Sequence, residues 1–121
     1  MKVLFVDDQI QRHDTFRRKV DLIHTIIPAF TYEQACNALR EHRFDEAWLD
    51  HDLQDYMYFE DGRTREYTGA DIARYIATEL DKAKIPKKVV VHSFNAPGAA
   101  NMAAILKEAG VPVELRPFRF S

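Results

Sequence analysis

Three short polar clusters, Asp7-Asp8, Asp50-His51-Asp52 and His92-Ser93-Phe94-Asn95, each follow an apolar run. Carboxylates brought together repel one another, so a small domain that gathers Asp7, Asp8, Asp50 and Asp52 needs a cation or a proton to offset the repulsion. Such a hard, oxygen-rich set suits magnesium first and manganese second, and the neighbouring imidazoles keep a transition metal open. Imidazole titrates near neutrality, so His51 and His92 are candidates for an acid or a base. Arg12 and Arg116 are the best cationic partners for a phosphate, because a guanidinium bridges two of its oxygens. His13 stands one helical turn before Phe16, where it either orients the site or packs.

Each group also has a plainer use. Asp8, Ser93 or Asn95 taken singly would cap the following helix. His51 and His92 could be satisfied by backbone carbonyls, and His24 and His42 read as surface residues. Tyr56, Tyr58, Phe59 and Tyr67 either pin a loop to the body or stack on a nucleobase, with Arg63 and Arg65 then touching phosphate.

Positioning these clusters requires their strands to end at one edge. Apolar runs alternate with helix-period segments, the pattern of βαβ units and a mostly parallel sheet. Five strands are expected, at Lys2 to Val6, His24 to Ala29, Glu46 to Leu49, Lys88 to Val91 and Val113 to Leu115. The first and fourth, as nearly continuous apolar runs, should be central. Helices are expected between them. Thr31 with Gln34 and Thr68 with Asp71 have capping spacing, Pro97 suits a first turn, and Gly110 suits a helix end. Right-handed crossovers send the strand-to-helix loops to the carboxyl edge, where ligands bind in such sheets. Residues 54 to 67 exceed the usual length of such a loop, carry little periodicity and suggest a lid.

A chain of 121 residues has room for one core, so residues 1–121 read as a single domain. With 46% hydrophobic and 30% charged residues and a net charge of -2, the composition is that of a globular protein with no general pull toward nucleic acid or membrane. The apolar stretch before Asp7 is too short for a secretory segment or a span, which points to the cytoplasm. A lone cysteine, Cys36, excludes an internal disulfide and reads as core.

The pattern resembles response-regulator receiver domains: an acidic pair after strand one, Asp50 after strand three, a hydroxyl residue after strand four, and Arg116-Pro117-Phe118 after strand five. In receivers such an aspartate accepts a phosphoryl group beside Mg²⁺. The resemblance implies a flavodoxin-like α/β fold, a five-stranded parallel sheet of order 2-1-3-4-5. The chain departs from it in placing arginine where receivers have lysine, in adding His51 and His92, and in lacking a fifth helix. The bare face should be covered by the tail Pro117-Phe118-Arg119-Phe120 or by a second subunit as a homodimer.

More closely, the chain resembles the cyclic-phosphate processing receiver-like family. Val6-Asp7-Asp8 with Arg12-His13, Leu49-Asp50-His51-Asp52-Leu53, Gly69-Ala70-Asp71-Ile72-Ala73, Val91-His92-Ser93 with Asn95, and Gly98-Ala99 with Asn101-Met102 carry that likeness. It implies metal-dependent hydrolysis of a cyclic phosphate on a nucleotide or RNA end. Asp7, Asp8 and Asp50 would hold the metal, with Asp52 a ligand or the orienter of a histidine. His51 and His92 would share the base and acid roles, and Ser93, Asn95, Arg12 or Arg116 would hold phosphate oxygens. Two other readings remain: a receiver phosphorylated on Asp50, and a non-catalytic module that binds nucleotides or phosphate.

Overall fold

Strand ends fix where the polar clusters go, and a computed structural model describes them through residues 1–20 and 24–117. Strands β1 (Lys2–Val6), β2 (Thr25–Ala29), β3 (Glu46–Leu49), β6 (Lys88–Val91) and β7 (Val113–Leu115) form one parallel sheet in the order β2-β1-β3-β6-β7. This is the expected doubly wound, flavodoxin-like order. The middle strand is β3, with β1 and β6 on either side of it. The partly buried Glu46 makes β3 look weaker in sequence than it is, but Ala47, Trp48 and Leu49 are buried.

Alternation divides the core. Leu4, Val6, Ala47, Leu49, Val89 and Val91 face α2 (Tyr32–Glu41), α3 (Gly69–Thr78) and α4 (Ala96–Glu108). Val3, Phe5, Trp48 and Val90 face the other way, onto Phe16 of α1 (Ile10–Lys19). Cys36 is buried among the first set. The helix starts follow their caps: Thr31 accepts from the Gln34 N–H at 3.1 Å, and Thr68 with Asp71 closes a reciprocal box. Pro97 lies in the first turn of α4, and Gly110 takes φ 78° where that helix ends.

Residues 54–67 are ordered differently from the expected loop. Asp55–Tyr58 (β4) and Thr64–Tyr67 (β5) pair antiparallel as a hairpin, with Gly62 at φ 87° in its turn. Both strands are solvent-exposed along most of their length, so they lack the buried-exposed alternation that marks a strand in sequence. Among the described residues no helix is long and apolar enough to cross a membrane. The tail expected to cover the α1 face lies, from Phe118 onward, outside the described residues.

Candidate active site at the carboxyl edge of the sheet

Register brings the clusters together. Val6 pairs with Leu49 and Leu49 with Val91, so Asp7, Asp50 and His92 stand one step beyond three adjacent strand ends. Each continues the parity of Phe5, Trp48 or Val90 and belongs to the α1 side. Oxygens of Asp7, Asp8 and Asp50 all lie within 4.8 Å of one another.

Asp7 is wholly buried and Asp50 is 4% exposed. The Asp7 carboxylate accepts the Gln9 N–H at 2.9 Å through Oδ1, an Asx-type turn that opens α1 in place of a side chain from Gln9 itself. Arg12 reaches both acids with the same Nη1, 3.4 Å from Asp7 Oδ2 and 3.4 Å from Asp50 Oδ2. Asp50 Oδ1 accepts the His51 N–H at 2.9 Å. Burial, and then the neighbouring Asp7, push the Asp50 carboxyl up to about 6 despite that bond and Arg12. Burial likewise raises Asp7. One guanidinium thus offsets the repulsion incompletely, and the hard oxygen donors fit a small divalent cation.

Two histidines anchor the end of β1 instead of facing a ligand. His92 donates from Nε2 to the Val6 carbonyl at 3.0 Å, and His13 donates from Nε2 to the Asp7 carbonyl at 2.9 Å. His92 stacks on Phe5 at 4.9 Å between centroids, while His13 meets Phe5 edge-on and stacks on Phe30. Burial drives His92 down to about 4, so it is neutral at physiological pH. Its side chain has no exposure, which corrects the expectation that it serves as acid or base on a substrate. Its Nδ1 lies 3.8 Å from Asp7 Oδ2, and its bond from Nε2 holds the end of the strand from which Asp7 follows.

His51 takes the opposite side. Its Nδ1 lies 2.9 Å from Asp52 Oδ1, and the Asn95 amide donates to both Asp52 oxygens at 3.3 Å. Asp52 is thus bonded to His51, and the oxygens that converge within 4.8 Å are those of Asp7, Asp8 and Asp50. The Asn95 Oδ1 caps α4 by accepting the Gly98 N–H at 3.0 Å, and Ser93 Oγ accepts the Asn95 N–H at 3.0 Å. Both therefore cap as well as wall the site.

A pocket of about 160 Å³ opens here, walled among others by Asp8, Arg12, Asp50, Asp52, Gln54 and Ser93. That is below the usual range of roughly 300–1,000 Å³ for small-molecule sites, and suits a phosphate-sized group. Arg116 is not brought to it. It pairs with Glu114 at 2.7 Å and lies 5.6 Å above the Trp48 ring. Arg65 pairs with Asp71, and Arg63 pairs with Asp61. His24 and His42 are half-buried, not surface residues, and His42 Nδ1 accepts from the Lys2 ammonium at 2.8 Å.

Two glycines proved to be site residues. A Cβ on Gly69 would stand 2.0 Å from the Asp50 carbonyl oxygen, and one on Gly98 would stand 2.6 Å from the His51 ring. Their absent side chains let α3 and α4 close around the Asp50-His51 segment. The signal was present in the sequence, since each glycine sits in the first turn after a cap residue, Thr68 or Asn95.

The comparisons agree with this architecture. The chain is similar to NtrX from Brucella abortus, with 19% identity and a TM-score of 0.64 over 98% of this chain and 24% of that one. It is similar to the response regulator DrrB, a Thermotoga maritima OmpR/PhoB homolog, with 19% identity and a TM-score of 0.58 over 97% of this chain and 46% of that one. A Burkholderia pseudomallei response regulator, solved with a phosphorylated aspartic acid, calcium ion and citrate, gives 14% identity and a TM-score of 0.55 over 98% of this chain and 61% of that one. The chain thus spans less than two thirds of each of these proteins. No curated protein matches it. The family model of the cyclic-phosphate processing receiver domain matches residues 2–108, and the chain belongs to that family.

Proposed function

We propose that this domain hydrolyses a cyclic phosphate on a nucleotide or RNA end with the help of a divalent ion, magnesium before manganese, held by Asp7, Asp8 and Asp50. The observation that carries this reading is the His51–Asp52 pair at 2.9 Å beside an acidic trio of which Asp7 and Asp50 are buried. A bound divalent ion supplies Lewis acidity toward a phosphoryl oxygen and lowers the pKa of a coordinated water. Arg12 offers its guanidinium to the other non-bridging oxygen, and the Ser93 hydroxyl can donate to a ring ester oxygen. Water forms a bond to phosphorus while the bond from phosphorus to one sugar oxygen breaks. The proton of that water goes to the His51–Asp52 pair, which returns a proton to the departing sugar oxygen. Asp52 faces the pocket, with the imidazole behind it.

The test is turnover of 2′,3′-cyclic and 3′,5′-cyclic nucleotides and of RNA ends bearing a cyclic phosphate, with and without Mg²⁺ or Mn²⁺, and with Asp52→Asn as control. A folded protein inactive on the whole panel overturns the reading.

The receiver fold and the position of Asp50 at the end of β3 favour a second reading, phosphorylation of Asp50. The Burkholderia protein carries such a phosphorylated aspartic acid. Incubation with acetyl phosphate or beryllofluoride separates the two: stable uptake that Asp50→Asn abolishes, with cyclic nucleotides untouched, selects the receiver.

A further inference from the structure

All five tyrosines of the chain, Tyr32, Tyr56, Tyr58, Tyr67 and Tyr75, line a second cleft of about 760 Å³ bounded by α2, α3 and the hairpin. Three of them form a fixed wall. Tyr67 is stacked on Tyr32 at 4.7 Å and 16°, with the Arg65 guanidinium 4.3 Å from the Tyr67 centroid. Tyr75 is buried, and its hydroxyl accepts from Arg40 at 3.2 Å. Tyr56 and Tyr58 differ: their centroids are 6.5 Å apart on one strand, and they are 48% and 75% exposed.

This cleft adjoins the phosphate-sized pocket. Gln54 lines the pocket and its neighbour Asp55 lines the cleft, and Gln54, at φ 49°, turns the chain from one to the other. Adjacent Cα atoms are about 3.8 Å apart, so this short segment carries residues of one lining directly into the other. Their chemistries are complementary. The pocket offers Arg12 to an anion, whereas the cleft is lined by Glu33, Asp55 and Glu79 and by Arg40, with Arg65 over the Tyr67 ring. Carboxylates there repel a phosphate and accept hydrogen bonds from the amino and ring N–H groups of an uncharged heterocycle.

We propose that the tyrosine cleft receives the base and sugar of the nucleotide, the base stacking on Tyr56 and Tyr58, while its phosphate occupies the acidic pocket. This rests on the nucleotide reading above and adds to it that recognition includes the base. The volume lies in the range of small-molecule sites, where the pocket over Asp50 alone does not.

The experiment has two arms. Without metal, the full chain is titrated with adenosine, guanosine, cytidine and uridine, and the ring resonances of Tyr56 and Tyr58 are followed by NMR. Shifts that saturate, and that a Y56F/Y58F variant retains at its phenylalanine rings, support the cleft even if no substrate is ever turned over. With Mg²⁺ and any cyclic nucleotide found active, Y56A/Y58A should raise KM by about ten- to a hundredfold, the usual range for one or two lost base stacks, with kcat nearly unchanged. Nucleosides that leave both tyrosines unmoved overturn the proposal. So does an oligoarginine peptide that shifts them where nucleosides do not, since the acidic aromatic surface would then be a docking face for a basic partner.

Discussion

Nδ1 of His51 lies 2.9 Å from Oδ1 of Asp52. A carboxylate so placed fixes the ring's tautomer and orientation. Asp52→Asn should keep the fold and KM while lowering kcat by about a hundredfold or more, and His51→Ala by a similar factor. Steady-state kinetics on the active cyclic nucleotide, with circular dichroism as the control for folding, decides this. Equal losses in the single and double variants would mark the two as one unit, whereas additive losses would separate them.

Gly98→Ala and Gly69→Ala oppose local propensity to packing. Both lie at helix starts, where alanine in place of glycine is ordinarily favourable by up to about 1 kcal/mol. The new methyls would stand 2.6 Å from the His51 ring and 2.0 Å from the Asp50 carbonyl oxygen. Overpacking costs about 1–3 kcal/mol, so both variants should be less stable. Gly69→Ala should be the worse, because its obstacle is backbone and cannot swing away. Urea unfolding of the two variants checks the sign and the order.

Asp50 and His92 should pull the pH dependence of stability in opposite directions when metal is chelated. The Asp50 carboxyl, raised from 3.8 to about 6, contributes stability that is full below its unfolded value and lost as pH rises through 6. The buried His92, lowered from 6.5 to about 4, contributes stability that is present above 6.5 and lost as pH falls through 4. Between these limits the slopes offset, giving a shallow profile. Asp50→Asn leaves the His92 slope exposed, so that variant should lose stability toward acid. At pH 7 it should exceed the parent chain by on the order of 2 kcal/mol. Thermal unfolding in EDTA across pH 4 to 7 measures both, and a variant no more stable at pH 7 would contradict the charge assignment.

Magnesium should raise the melting temperature, by an amount equivalent to about 2.7 kcal/mol at a hundred times Kd. Asp7→Asn should abolish that gain. Arg12→Ala should lower stability in chelator and enlarge the gain from magnesium, because the guanidinium 3.4 Å from each carboxylate already offsets part of the charge that an ion would neutralise. An unchanged response in Arg12→Ala would mean that the two cations do not compete.

Much of this architecture is legible in the sequence. Lys2–Val6 and Lys88–Val91 are apolar nearly throughout because both faces of an interior strand are covered, and Thr31 and Thr68 announce helix starts because a hydroxyl there meets otherwise unpaired N–H groups. The convergence of Asp7, Asp8 and Asp50 followed from the strand order alone. Depth was not legible. His92 and His51 look alike in sequence, each following a strand, yet parity sends the first under Phe5 and the second toward Gly98. Arg116 was misplaced for a similar reason: a guanidinium after β7 has both Trp48 and Glu114 within reach, and they hold it away from the acids. The cleft was hidden because its tyrosines are scattered from Tyr32 to Tyr75 and meet only when the hairpin forms beside α2 and α3.

The guanidinium between Asp7 and Asp50 has one further consequence. A protein that brings its own counter-ion can finish folding before any ion arrives, so loading becomes an exchange of one positive group for another. The speed of that exchange is then set by how readily a single side chain swings aside, and because both acids are buried, added salt should change it little.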